Sequence, residues 1–340
     1  MIRTKHIIIA AAAAVAASCS RMPSPEVPVG DTATVRLSAS LPGTKAAVAG
    51  TAEEDALSHV DWFVFDSAGE CIGQFRSASG EETVTLSKGD YTFMAVANLP
   101  YTAPEAGSDA AAYRDALEVS FADCFGDPWY GFVMQGDPVE VSLTADRDVE
   151  LEMRRTACKV EVTGGVTFAF PASSSLASME ASVVSMFVTN IPATVKVRTG
   201  AQSGTDYVND ASSASFIPGL VSADGVPSAA MNARTRWTGT GAKVFYCHPN
   251  AAAEAAEITA TDMVTKLVVC ARVGSDVWYY PVGLPGLAPN SICRISDIVI
   301  SGRGSDDPNT YIQDGSAVRF NVVSLEDWTT VEEECILVRE

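Results

Sequence analysis

The chain has 340 residues, 47% of them hydrophobic and 8% aromatic, with 23 Lys+Arg against 42 Asp+Glu and a formal charge of −19. That apolar fraction is too high for a disordered chain, and the length calls for more than one small core. An acidic excess with no basic cluster argues against a nucleic-acid backbone or an anionic membrane surface as partner.

The chain opens with Arg3 and Lys5, an apolar run over residues 7–17 (IIIAAAAAVAA) and then Ala16-Ala17-Ser18-Cys19. The run is too short to cross a hydrocarbon core about 30 Å thick, so residues 1–18 read as a removable export signal. Small residues directly before a cysteine resemble a bacterial lipobox, which makes Cys19 a lipidated first residue that tethers the protein to the outer membrane. The alternative is an ordinary signal peptide cut after a small residue. Residues 19–30 carry Pro23, Pro25 and Pro28 and read as an extended tether.

Strand patterns dominate from residue 31. Ala33, Val35, Leu37, Ala39 and Leu41 alternate with Thr34, Arg36, Ser38 and Ser40, a period of two. Further strands are predicted at 60–65 (VDWFVF), closed by an Asp66-Ser67-Ala68-Gly69 turn, and at 71–76, 83–86, 91–97, 132–134, 139–143 and 149–153. One helix is predicted over 109–117 (DAAAYRDAL) from its alanines and its i, i+4 pattern. A second series of strands falls at 158–162, 183–189, 244–247, 266–273, 277–282, 292–300 and 318–325. Within it lie a Ser/Gly/Ala-rich surface excursion at 199–230 and a helical turn or two at 250–257. Strands joined by short polar turns need no crossover helices. The chain therefore reads as all-β, two tandem antiparallel β-sandwich domains with few short helices, at residues 31–155 and 156–340.

Chemistry is sparse. Beyond the signal only His59 and His248 remain, in no HxxxH or HExxH spacing, and Cys247 and His248 would point to opposite faces of a strand. Cys71, Cys124, Cys158, Cys247, Cys270, Cys293 and Cys335 include no CxxC and fall mostly in apolar runs. They read as buried thiols rather than a disulfide framework or a metal site. Gly239-Thr240-Gly241-Ala242-Lys243 lacks the spacing of a phosphate loop, and Asp306-Asp307 reads as a solvated turn. Glu332-Glu333-Glu334 reads as edge or tail surface. No catalytic residue, metal ligand or cofactor is assigned, and the expectation is a protein that is not an enzyme.

A set of segments, taken in order, carries more information. They are Thr44-Lys45-Ala46-Ala47, Glu53-Glu54-Asp55, residues 89–98 (GDYTFMAVAN), Arg155-Thr156-Ala157-Cys158-Lys159-Val160 and residues 187–192 (FVTNIP). Phe245-Tyr246, Tyr279-Tyr280-Pro281-Val282, the loop at 302–308 and a closing Trp328 follow. Together they resemble the Bacteroidales fimbrillin family, the type V pilins. The resemblance implies two transthyretin-like β-sandwich domains and export as a lipoprotein to the outer membrane and cell surface. In that family a trypsin-like protease removes the first strand, and the open groove takes a C-terminal strand of the next subunit. Carried over, the displaced strand holds Ala33, Val35, Leu37, Ala39 and Leu41. The cut falls between Lys45 and Ala46, Lys45 being the only basic residue between Leu37 and Phe75, where the family uses Arg. The donor strand holds Val331, Cys335 and Leu337 on one face and Ile336 and Val338 on the other. Alternatively, residues 329–338 pair with 318–325 inside their own domain. The implied partners are other fimbrial subunits, in a homo- or hetero-polymer, and the membrane through the Cys19 lipid. Two other readings stay open: an uncut lipid-anchored anchor subunit, and a surface glycan-binding lipoprotein. The second needs aromatics grouped on one face, whereas Trp62, Trp129, Trp237, Trp278 and Trp328 are spread along the chain.

Overall fold

The computed structural model describes residues 31–41, 51–106, 109–127, 129–210, 221–251, 263–308 and 318–328. Cys19, Lys45 and Ala46 lie outside the described residues, as do Val331, Cys335, Ile336, Leu337 and Val338 and most of the segment at 250–257.

The first half supplies β1 (Thr32–Ser40), β2 (Val60–Asp66), β3 (Cys71–Ser77), β4 (Glu81–Ser87), β5 (Gly89–Ala97), β6 (Glu118–Ser120), β7 (Met134–Gly136), β8 (Val139–Leu143) and β9 (Arg147–Arg155). All but β6 join one eight-stranded sheet in the order β3-β2-β5-β7-β9-β1-β4, with β8 beside β5. β10 (Cys158–Val162) follows β9 after Thr156 and Ala157. Then come β11 (Val166–Phe168), β12 (Ala181–Thr189), β13 (Ile191–Pro192), β14 (Thr194–Lys196), β15 (Tyr207–Val208), β16 (Arg236–Trp237) and β17 (Val244–Cys247). β18 (Lys266–Val273), β19 (Asp276–Gly283), β20 (Ser291–Ile300) and β21 (Val318–Asp327) complete the set. One sheet runs β11-β20-β10-β17 with β21 beside β20, and a second runs β16-β12-β18-β19. A short ladder, β6 against β14, ties the first half to the second.

The chain is all-β, but its sheets are mixed rather than purely antiparallel as the sequence suggested. β1 is parallel to β9, and β10 and β11 are parallel to β20. The antiparallel expectation came from short turns, which fix only neighbouring strands. β1 and β9 are brought together from far apart, as the bond between Ser40 and Glu150, 110 positions distant, shows.

Alternation explains the burial. β9 reads exposed and buried in turn from Val149 to Arg155, whereas β18 is buried on both faces along nearly its whole length, which its unbroken apolar run LVVCA requires. One continuous cluster of buried residues extends from Ala33 to Trp328. A smaller one gathers Phe187, Val221, Met231, Val268, Cys270 and Tyr279. Val221 corrects the picture of 199–230 as pure surface excursion, because it is buried with Met231, just past that stretch, against β12 and β18. Gly225 permits it. Its φ is +78° and a Cβ there would lie 2.1 Å from Cys270 Sγ, while Ser185 Oγ donates to its carbonyl at 2.6 Å.

Two short α-helices occur among the described residues. α1 (Ala110–Ala116) is capped by the Asp109 carboxylate, which accepts from the backbone N–H groups of Ala111 and Ala112. None of its residues is fully buried, so its apolar face is narrower than the periodicity suggested; Tyr113 leans on Phe63 at 4.9 Å between rings. α2 (Phe121–Phe125) was not foreseen. Its signal was the Ser120-x-x-Asp123 cap, in which Asp123 N–H donates to Ser120 Oγ at 3.1 Å.

Candidate assembly groove

β1 is an interior strand. It pairs with β4 from Thr32↔Ser87 to Ser38↔Glu81, and with β9 from Val35↔Arg147 to Ser40↔Glu152. Ala33, Val35, Leu37 and Ala39 are 3%, 0%, 2% and 9% exposed, so the alternation read from the sequence is the one that is buried. Leu41 lies past the strand's end and is half-buried against the same core. Val35 and Leu37 each contribute roughly 1.5–3 kcal/mol by burial, and the two alanines far less. Further bonds fix the ends. Ala39 N–H donates to Gly80 O at 2.6 Å, Thr34 N–H to Asp146 Oδ1 at 2.8 Å and Lys88 N–H to Asp31 O at 2.7 Å. Withdrawing β1 would open a groove with β4 on one side and β9 on the other.

The outward face of this groove is acidic, a feature the sequence reading missed. Asp148 lies across from Arg36, Glu150 and Glu81 flank Ser38, and Glu152 lies across from Ser40. β1 answers with matching chemistry: Ser40 Oγ donates to Glu150 Oε1 at 2.6 Å, and Arg36 approaches Asp148 at 3.7 Å. That ion pair is exposed on both partners and contributes little to stability.

Immediately after residues 42–50, the chain is clamped. Glu54 is 1% exposed and joins three partners. Its Oε1 accepts from Tyr246 OH at 2.6 Å and pairs with Lys159 Nζ at 2.9 Å, and its Oε2 accepts from Thr51 N–H at 2.7 Å. Burial alone would raise the carboxyl's pKa, but these donors outweigh it and hold it below the ordinary value. The same burial and the Glu54 charge push the Tyr246 hydroxyl well up, so it stays protonated and donates. Arg155 donates from Nε to Glu54 O at 3.1 Å, pairs with Asp55 through Nη2, and lies 4.6 Å over the Trp328 ring. Trp328 also stacks on Tyr246, with ring centroids 6.1 Å apart and planes 7° from parallel. Residues 51–55, the end of β9, β10, β17 and the residue closing β21 therefore meet in one buried polar and aromatic cluster. Glu53-Glu54-Asp55, Arg155 to Val160, Phe245-Tyr246 and Trp328 were singled out in the sequence; that they converge was not readable there.

The other residues weighed for chemistry are placed apart. His59 Nε2 lies 2.8 Å from Leu99 O. His248 is buried, its Nδ1 2.9 Å from Pro192 O and its ring between Phe121 and Phe125 at 5.7 and 5.4 Å. Burial pulls its pKa down to about 4, so it is neutral. Cys124, Cys158, Cys247, Cys270 and Cys293 are buried free thiols and Cys71 is half-buried. Trp62, Trp278 and Trp328 are buried. Trp129 and Trp237 are half-buried, each beneath a cation, Arg234 at 4.4 Å and Lys243 at 5.8 Å. The tryptophans thus form no exposed stacking platform. Asp307 sits in a turn, its N–H donating to Ser305 Oγ at 3.0 Å. Among the described residues no group of three or more His, Cys, Asp or Glu is gathered to hold a metal.

No family model matches the chain, and no curated protein sequence matches it. Solved structures do. A candidate cell adhesion protein from Parabacteroides distasonis aligns over 89% of this chain and 100% of its own, with a TM-score of 0.62 at 14% identity. A candidate cell adhesion protein from Bacteroides eggerthii aligns over 90% and 98%, with a TM-score of 0.58 at 13% identity. A fimbrilin from Porphyromonas gingivalis aligns over 90% and 100%, with a TM-score of 0.61 at 14% identity. At such identities the likeness is one of fold, and it spans nearly the whole chain: the protein has the all-β fold seen in this fimbrilin and in these adhesion proteins.

Proposed function

We propose that the chain is a structural, non-catalytic subunit of a cell-surface fimbria that assembles by strand exchange and supports adhesion. One observation carries the reading. The first strand is a full member of its sheet, yet it is covalently joined to the rest only through residues 42–50, and the chain beyond that segment is held by its own clamp. A cut between Lys45 and Ala46 would free β1 together with the lipid on Cys19, while Glu54 and Asp55 kept the new N-terminus in place. The likeness to a fimbrilin over 90% of the chain supports the same reading. In it, residues 31–155 form the domain that receives a strand and residues 156–340 the domain whose last residues, Val331, Cys335, Ile336, Leu337 and Val338 among them, leave from the clamp at Trp328.

A second reading is an anchor subunit that keeps its lipid and its first strand; Lys45 in place of the family's Arg favours it. Mass spectrometry of the N-terminus, on protein from the surface fraction of intact cells, separates the two. A chain beginning at Ala46 without lipid supports the polymerising subunit. A chain beginning at lipidated Cys19, with residues 32–41 intact, overturns it in favour of the anchor.

A further inference from the structure

Resting on the strand-exchange reading, we propose that the groove beneath β1 is built to receive a strand from a chemically different subunit, not the C-terminal strand of a second copy of this chain. The groove sets two demands. Its floor takes four apolar side chains at alternate positions, small at the ends and branched in the middle, where Ala33, Val35, Leu37 and Ala39 are buried. Its outward rims carry Asp148, Glu150, Glu152 and Glu81 beside positions 36, 38 and 40, which call for neutral or basic side chains such as Arg36, Ser38 and Ser40.

Residues 329–340 (TTVEEECILVRE) fail the first demand in every register. Sliding four alternate positions along this tail gives Thr-Val-Glu-Cys, Thr-Glu-Glu-Ile, Val-Glu-Cys-Leu, Glu-Glu-Ile-Val, Glu-Cys-Leu-Arg and Glu-Ile-Val-Glu. Every register places a carboxylate at one of the four buried positions, where nothing in β4 or β9 aligned with Ala33 to Ala39 offers a buried cation to pair it. The register that seats Cys335 and Leu337 in the places of Val35 and Leu37 puts Glu333 where Ala33 is. Its outward face then carries Glu334 near Asp146 and Glu340 across from Glu152. The register that seats Ile336 and Val338 in the places of Val35 and Leu37 sets Arg339 between Glu81 and Glu150 but puts Glu334 and Glu340 where Ala33 and Ala39 are buried, so the interior mismatch remains in every register. The fitting occupant is a strand with alternating aliphatic residues inside and hydroxyl or basic residues outside, so this chain takes its place in a mixed polymer, next to a subunit unlike itself.

The test uses the full mature chain with a specific protease site placed within residues 42–50. The folded protein is nicked there, and exchange of its bound first strand for labelled peptides is followed by fluorescence anisotropy. Three peptides are compared: residues 31–41, residues 329–340, and residues 329–340 carrying Glu332→Thr, Glu333→Ala and Glu334→Thr. The expected order places the 31–41 peptide first and the natural tail roughly a hundredfold weaker, with the triple variant regaining at least about tenfold. A natural tail within about threefold of the 31–41 peptide overturns the mixed-polymer inference and leaves strand exchange standing. Failure of the 31–41 peptide itself to exchange overturns the strand-exchange reading, and this inference with it.

Discussion

The clamp around Glu54 makes a quantitative claim about a buried charge. Lys159 is 6% exposed and Glu54 1%, and their charged atoms lie 2.9 Å apart. Replacing Lys159 with Met keeps the volume and removes the partner charge, leaving a carboxylate that water cannot reach. An uncompensated buried charge of this kind costs about 3–5 kcal/mol. Tyr246 OH and Thr51 N–H still donate to it and Arg155 is nearby, so the lower end, about 3 kcal/mol, is expected for Lys159→Met. Adding Glu54→Gln removes the stranded charge and should return the protein to within about 1 kcal/mol of the parent. Urea unfolding at pH 7 measures all three proteins, with unchanged m-values as the control for two-state behaviour. The pH dependence gives a second reading. In the parent, the lowered Glu54 pKa contributes stability that is present at neutral pH and lost as pH falls through the folded value. In Lys159→Met the carboxyl's pKa rises, so it protonates earlier on acidification and the deficit against the parent should shrink towards pH 4. A deficit below about 1 kcal/mol at pH 7, or a double variant as damaged as the single one, would refute the argument that the charge, rather than the packing, is what Lys159 answers.

Two further outcomes follow from buried groups. His248 has a folded pKa of about 4, against an ordinary value near 6.5. Between those values the unfolded chain takes up a proton that the folded chain refuses. Stability is therefore fullest above pH 6.5 and falls by about 1.4 kcal/mol per pH unit on going down, about 2 kcal/mol by pH 5. Urea midpoints of the parent and His248→Gln at pH 8 and pH 5 test it, because the gap between the two proteins should narrow or reverse at pH 5; a constant gap contradicts the assignment. Leu37, 2% exposed in the middle of β1, should cost about 2–5 kcal/mol as Leu37→Ala and should speed release of the first strand from a nicked chain. An unchanged release rate would show that β1 is not held by its buried side chains.

Local pattern and pairing partner were legible to different degrees. The alternation of Ala33, Val35, Leu37 and Ala39 needs only the chain's own geometry, and it placed β1 to within a residue. The continuous run of β18 was found with its ends, because a strand buried on both faces has no polar phase to confuse. What β1 pairs with was not legible: a parallel ladder to β9 is settled by the packing of two elements far apart in sequence. α2 was missed because five residues are too few for a helical period, although its Ser120 cap stood in plain view. The clamp was hidden for another reason. Glu53-Glu54-Asp55 stood out only as part of a resemblance, and only the fold brings Arg155, Lys159 and Tyr246 around Glu54 and Asp55. The rim of acids along β9 was hidden likewise, since Asp148, Glu150 and Glu152 show their meaning only beside β1.

The groove and the clamp explain one another. A strand interior to a sheet cannot leave cheaply: its departure bares the core under Val35 and Leu37 and strips β4 and β9 of a hydrogen-bonded neighbour each, an open edge of the kind that aggregates. On the strand-exchange reading, the rest of the first half would have to stay folded while the groove is open. Glu54 and Asp55 supply this, because their bonds run to Arg155, Lys159 and Tyr246 and none runs to β1. On the same reading, covalent attachment through residues 42–50 would serve to seat the first strand during folding. With those residues cut, β1 would be one more peptide in a groove. Whether it stays is decided by the match of floor and rim against whatever strand competes for them.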